Sequence, residues 1–279
     1  MISIAHLGPT GTFSELAAAA FANNFEPDTT SLKAYSTIAQ AIYATVEGET
    51  QFCVVPIENS IGGGVTITLD TLWEVEDIHV QQSFTLPVQH ALISEADSIS
   101  DIQTIYSHPQ ALAQCREWLA KHLPKVDLVR ASSTAEPLPK LKADASAGAI
   151  ASPWGAKIYD LPVLAHPIND YADNYTRFWI LGRQPSTGGQ YTSLAFSLVS
   201  NEPGALLKPL QLFSALDINM SRIESRPTKR SLGDYIFFVD VEANAEEPTM
   251  KTALEVLKLH TAQMKVFGSY DLTKLEQPV

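Results

Sequence analysis

Cysteine is nearly missing from this 279-residue chain, which holds only Cys53 and Cys115. Two thiols cannot build a disulfide framework, and their scarcity suits a reducing compartment. No Cys/His cluster has metal-ligand spacing. His6, His79, His90, His108, His122, His166 and His260 show no i,i+4 pairing and no triad pattern. No apolar run approaches the roughly 20 residues that a membrane span needs. The segment Met1 to His6 lacks the basic start and long apolar stretch of a signal peptide. A cytoplasmic protein without a metal or a membrane partner is the expectation.

Basic residues are scarce as well. Nineteen Lys and Arg face 31 Asp and Glu, a formal net charge of −12. Residues 1–184 hold 10 basic and 20 acidic residues, a net of −10, and residues 185–279 hold 9 and 11, a net of −2. Between Met1 and Cys115, Lys33 is the only basic residue. Such a surface repels nucleic acid and anionic lipid. Any anion bound in this region must rest on backbone N–H groups and helix N-termini. A Walker loop and a serine-hydrolase elbow are also absent.

What is present divides in two. Over residues 1–184, short apolar runs alternate with helical patterns, which predicts an α/β sheet. Strands are expected at Ile2–Leu7, Phe52–Ile57, Val88–Ile93, Ile102–Tyr106, Ala147–Ala151 and Tyr175–Leu181. Helices are expected at about Phe13–Phe21, Thr68–Trp73 and Gln110–Lys121. The stretch from Gly182 to Gln190, with Pro185 and Gly188-Gly189, reads as a linker. Beyond it the pattern is strand–helix–strand–strand–helix–strand, a ferredoxin-like order.

Four places could carry chemistry. Gly8-Pro9-Thr10-Gly11-Thr12 joins a strand to a helix and can bring N–H groups close to an anion. Ser107-His108-Pro109-Gln110 also follows a strand, where open α/β sheets bind ligands. Both carry the Ser/Thr-x-x-Glu/Gln spacing of a capping box, as does Ser133…Glu136. Glu58-Asn59-Ser60 ends a buried strand beside three glycines, as a turn or a site would. In Asn174-Tyr175-Thr176-Arg177-Phe178, alternation sets Thr176 and Phe178 on one face and Arg177 on the other. Arg177 could equally pair with Asp170 or Asp173.

Together these stretches, with Ser132-Ser133-Thr134-Ala135, resemble the prephenate dehydratase family across residues 1–184. The C-terminal part resembles the ACT domain of that family through Gly204-Ala205-Leu206 and Ile218–Pro227. The resemblance implies a two-lobed catalytic domain like the type 2 periplasmic binding proteins, plus an α+β ferredoxin-like ACT domain. It sets one lobe at about 1–76 with 174–184, the other at 77–173, a linker at 185–190 and the ACT domain at 191–279. It implies a monofunctional enzyme without cofactor that turns prephenate into phenylpyruvate with loss of water and carbon dioxide. Thr176 is expected to donate to the departing oxygen, with Glu58 as a proton relay and Asn59 beside it. Thr10, Gly11, Thr12, Ser60, Gln110, Asn174, Arg177 and Phe178 are expected around the substrate. One departure is the lack of the acidic residue that relatives usually carry near Gly63.

The same resemblance implies feedback inhibition by phenylalanine, bound between ACT domains of a homodimer or homotetramer. Gly204, Ala205, Leu206, Asn219, Glu224, Ser225, Arg226 and Pro227 are the expected lining. Arogenate dehydratase and a non-catalytic amino-acid sensor are the alternatives.

Overall fold

The computed structural model describes residues 1–276. The opening apolar segments form β1 (Ile2–Leu7), α1 (Phe13–Ala22), β2 (Thr30–Tyr35), α2 (Ile38–Val46) and β3 (Phe52–Asn59), with β2, β1 and β3 parallel. Ile4, Ala5, Val54 and Val55 are fully buried, as strands covered on both faces require. The short β4 (Gly63–Gly64) folds back on β3, and α3 (Thr66–Glu74) follows. Next comes β5 (His79–Pro87).

The chain then crosses to a second sheet. It contains β6 (Ala91–Ser94), β7 (Thr104–Ser107), β8 (Asp127–Arg130), β9 (Ala147–Ala151) and β10 (Val163–Ala165), in the order β10-β6-β9-β7-β8. Its helices are α4 (Pro109–Gln114), α5 (Arg116–His122), α6 (Leu138–Leu141) and α7 (Pro153–Tyr159). β11 (Tyr175–Gly182) returns to the first sheet and lies antiparallel between β3 and β5.

Several expectations are corrected. The strand expected at Val88–Ile93 begins only at Ala91, because Val88 and His90 spend their N–H groups on Asn174 O and Asn169 Oδ1 across the return segment. β5 belongs to the first lobe, so the lobes part near Val88 rather than at residue 77. The single helix expected at Gln110–Lys121 is two segments. Cys115 leaves helical geometry, and the Asp170 carboxylate accepts the N–H groups of Glu117 and Trp118. That carboxylate gives the second segment its own N-terminal cap.

The C-terminal domain holds β12 (Tyr191–Leu198), α8 (Leu207–Ala215), β13 (Met220–Pro227), β14 (Tyr235–Val241), α9 (Pro248–Lys258) and β15 (Thr261–Tyr270). Its sheet runs β13-β14-β12-β15, antiparallel throughout. Leu194, Phe196, Val239 and Val241 face α8 and α9. Ala195, Ile236, Phe238 and Phe267 face the other way and join Val55, Val80 and Trp179 of the first lobe in one core. Each such buried large side chain contributes about 1.5–3 kcal/mol, so the domain is docked on the lobe rather than tethered to it. The domain expected to run to residue 279 leaves its own sheet after Tyr270. β16 (Leu272–Lys274) adds in parallel to the edge of the first-lobe sheet beside β5. Residues 277–279 lie outside the described residues.

Candidate active site

One irregularity organises the site. Along β3 and β11, Asn59 opposes Thr176 and Glu58 opposes Arg177, but Phe178 opposes Pro56. Ile57 is therefore an extra residue on β3, a bulge of the kind that re-aims side chains beside active sites. Strict alternation would have placed Asn59 with Ile57 and Val55, which face the C-terminal domain. The bulge instead turns Asn59 to the cleft beside Thr176, and turns Glu58 away with Arg177.

The cleft between the lobes is a cavity of about 480 Å³, in the range of small-molecule sites. The first turns of four helices reach it, through Phe13, Ile38, Thr66 and Gln110. Among them the start of α3 has no side-chain cap. Lys and Arg are absent from its described lining.

A chain of amides runs behind the cleft. Asn59 Nδ2 donates to Thr176 Oγ1 at 3.0 Å and to Asn174 Oδ1 at 2.8 Å. Asn174 Nδ2 donates to Gln114 Oε1 at 3.1 Å, which also meets His90 Nε2 at 2.9 Å. Asn59 Oδ1 accepts the N–H groups of Ile61 and Gly62, which fixes its orientation. Thr176 Oγ1 thus accepts a hydrogen bond from Asn59 and keeps its own O–H for a partner in the cleft. An N–H held on the oxygen also stabilises a developing alkoxide. Burial pushes the His90 imidazole below its ordinary value.

The remaining sequence candidates are distributed differently. Gln110 lines the cavity, and Asn174 sits buried behind it. Arg177 and Phe178, expected around the substrate, are not in the cleft. Phe178 is buried among Ile4, Val54 and Phe84. Arg177 donates to Asp240 at 2.7 Å, Tyr270 at 2.7 Å and Ser83 at 3.1 Å on the opposite face. Burial alone would lower its pKa, but neighbouring groups, the Asp240 carboxylate first among them, more than offset that and raise it. Glu58 reaches Arg222 of the C-terminal domain at 3.5 Å, so a relay to Thr176 has no path through its side chain.

The loop Thr10–Thr12 was expected to cradle an anion, yet its turn is filled from within. Glu15 Oε2 accepts the Gly11 N–H at 2.6 Å, and Thr12 Oγ1 caps α1 at the Glu15 N–H. Thr10 O and Gly11 O accept from Tyr159 and Ser152 of the second lobe, so this loop joins the lobes. Ser60 spends its hydroxyl on Asp173 O and the Tyr175 N–H. Ser107 donates to Ile150 O, and His108 Nδ1 provides the cap of α4 instead.

Sequence reasoning missed His90, Gln114 and the start of α3. Gln114 lies one turn beyond Gln110, the only signal available. His90 had none, since its neighbours become adjacent only when Ile168–Asn174 return beside it.

In the C-terminal domain, Gly204, Asn219, Ser225 and Pro227 are exposed, and Ala205 and Leu206 are half-buried. Glu224 pairs with Arg222 at 2.7 Å, and Arg226 makes two bonds to Asp70 of α3, at 2.9 and 3.2 Å. That contact holds the Asp70 carboxyl below the usual range. The cavity beside Ala205 and the one beside Pro227 are separate.

A two-lobed α/β domain with a hydroxyl–amide pair in its cleft, docked on a ferredoxin-like domain, defines a cleft enzyme with a regulatory module. Residues 4–186 match the family model of prephenate dehydratase and residues 192–258 that of the ACT domain. The chain belongs to the prephenate dehydratase family, enzymes of the hydro-lyase class. It is 38% identical to a prephenate dehydratase of Lactococcus lactis subsp. cremoris, over 98% of this chain and 99% of the relative. A crystal structure of prephenate dehydratase from Arthrobacter aurescens, in complex with L-Phe, superposes with a TM-score of 0.87 at 34% identity, covering 97% of this chain and 90% of the other. A quorum-quenching acylase, GqqA, superposes with a TM-score of 0.84 at 29% identity, covering 97% and 98%. Among the described residues, no helix is long and apolar enough to cross a membrane.

Proposed function

We propose that the cleft converts prephenate to phenylpyruvate, with Thr176 as the hydrogen-bond or proton donor to the leaving oxygen. The ring carboxylate leaves as carbon dioxide, its bonding electrons enter the ring, and the ring C–O bond breaks. The departing hydroxide takes a proton and leaves as water. Aromatisation supplies the driving force, so the protein has to hold the dianion and assist the leaving oxygen. The observation that carries this reading is the Asn59–Thr176 bond at 3.0 Å inside the cavity, which leaves the threonine proton uncommitted. With Arg177 on the other face, the carboxylates fall to backbone N–H groups, above all those opening α3.

The ACT domain takes phenylalanine between two copies. The exposed Ser225 and Pro227, on the edge strand β13 with Ile223 46% exposed, leave half a site that a second chain would complete. The protein is accordingly a homo-oligomer, and its two free cysteines suit the cytoplasm. Incubation with prephenate, with and without L-phenylalanine, tests the reading by the appearance of phenylpyruvate. Turnover suppressed by phenylalanine supports both halves. A folded protein that leaves prephenate untouched but consumes arogenate, or neither, overturns the prephenate assignment.

A further inference from the structure

The side of β3 and β11 that faces away from the cleft carries a buried ion cluster shared between the two domains. Arg177 of β11 meets Asp240 of β14 at 2.7 Å, and Asp240 also accepts from Ser193 and lies 3.8 Å from Arg222 Nη1. Arg222 of β13 in turn reaches Glu58 of β3 at 3.5 Å and Glu224 at 2.7 Å. The Asp240 side chain is 1% exposed, that of Arg222 6% and that of Arg177 13%. Arg222 Nη1 is buried without a hydrogen-bond partner. A buried donor left open costs stability, so its presence here calls for a reason.

Glu58 and Arg177 are each one residue from a member of the cleft pair, and they oppose each other as Asn59 opposes Thr176. The bulge at Ile57 lies beside them, so the β3 ladder is interrupted where Glu58 and Asn59 meet Arg177 and Thr176, while β11 stays paired to β5 on its other side. Glu224 has a second contact with the site: its carboxylate lies directly against Gly64, a residue of the cleft wall. We propose that Asp240 and Arg222 are positioning residues for the reaction, setting the Thr176–Asn59 geometry from behind through Arg177 and Glu58, with Glu224 carrying the state of β13 into the cluster. The C-terminal domain is then part of the catalytic frame as well as a sensor. This rests on the assignment of Thr176 to the reaction and of the effector site to the β13 edge.

The test uses the full-length protein and three variants, Asp240→Asn, Glu58→Gln and Arg222→Gln. In Asp240→Asn, kcat is expected to fall at least tenfold with KM within about threefold, since the Thr176 geometry shifts while the carboxylate-binding N–H groups stay in place. Glu58 is partly exposed, so Glu58→Gln keeps the fold accessible should Asp240→Asn prove unstable. In Glu58→Gln the phenylalanine concentration for half-inhibition should change at least fivefold. Glu58→Gln combined with Arg222→Gln should change it no further than either single variant. A purely structural cluster would instead lower thermal stability, leaving kcat per folded molecule and half-inhibition unchanged, and that result would overturn the proposal. The methyl resonance of Thr176 gives a readout that does not depend on turnover. Its displacement in Glu58→Gln supports positioning even if prephenate proves the wrong substrate, and an unmoved resonance in Glu58→Gln and Asp240→Asn refutes it.

Discussion

Asn174 Nδ2 donates to Gln114 Oε1 at 3.1 Å, joining the segment that leads into β11 of the first lobe to α4 of the second. The directions of the whole chain follow from its fixed end. Backbone N–H groups hold Asn59 Oδ1, so Asn59 must donate to Asn174, and Asn174 must donate to Gln114. Gln114 Oε1 is then an acceptor, and neutral His90 must carry its proton on Nε2. The return segment, the amide chain and the cleft hydroxyl are thus one hydrogen-bonded unit.

Replacing Thr176 by alanine removes the hydroxyl and leaves the Asn59 donor facing the cavity. A fall in kcat of about 10²–10⁴-fold is expected, the usual worth of a positioned acid. Thr176→Ser should retain most activity. Steady-state kinetics on prephenate, with circular dichroism to verify folding, decides this, and near-wild-type turnover by Thr176→Ala would remove it from the mechanism.

The tautomer of His90 is directly measurable. Nitrogen chemical shifts should show Nε2 protonated and Nδ1 bare at neutral pH. Burial lowers the pKa values of His90, His6 and His166 in the folded state. The unfolded chain therefore binds more protons once the pH drops below about 6.5, and stability falls with it. The melting temperature should decline on going from pH 7.5 to 5.5, and His90→Gln should make that decline shallower. An identical slope in the variant would show that His90 is not among the groups responsible.

Gly64→Ala places a methyl group where the Glu224 carboxylate now lies. The backbone at Gly64 does not require glycine, and the obstructing atoms end a flexible side chain, so the variant should fold with a small change in stability. Glu224 has to move, which disturbs its 2.7 Å pair with Arg222. Altered phenylalanine sensitivity with an unchanged melting temperature to within a few degrees is the expected result of inhibition assays and thermal scans.

Cys53 and Cys115 are buried, and burial pushes both thiols up to about 12. Thiolate is the reactive form, so the folded protein at pH 8 should react negligibly with a disulfide reagent and release two equivalents of thiol on denaturation. Rapid labelling of the native state would show opening of the β3 or α4 region.

Local sequence sufficed for the regular parts. The run Ile2–Leu7, the small-residue strand Ala147–Ala151 and the ferredoxin-like order after Gln190 are legible because side-chain periodicity and turn residues act over a few positions. The resemblance of five short stretches identified the family, and Thr176, Asn59 and Gln110 do meet in one cavity. β5 was missed because its partner β11 lies about ninety residues away, and nothing nearby states which lobe completes it.

Which way the side chains of β3 point was decided only by tertiary structure. Alternation along a single strand cannot reveal an unpaired residue, so Ile57 hid the exchange that sends Asn59 to the cleft and Glu58 to the ACT domain. Arg177 shows the same limit. Its sequence neighbours offered Asp170 and Asp173, while the fold delivers Asp240, 63 positions away, as its partner at 2.7 Å. A buried charge takes the counter-charge that packing brings to its own face of the sheet, and only docking of the second domain determines which one that is.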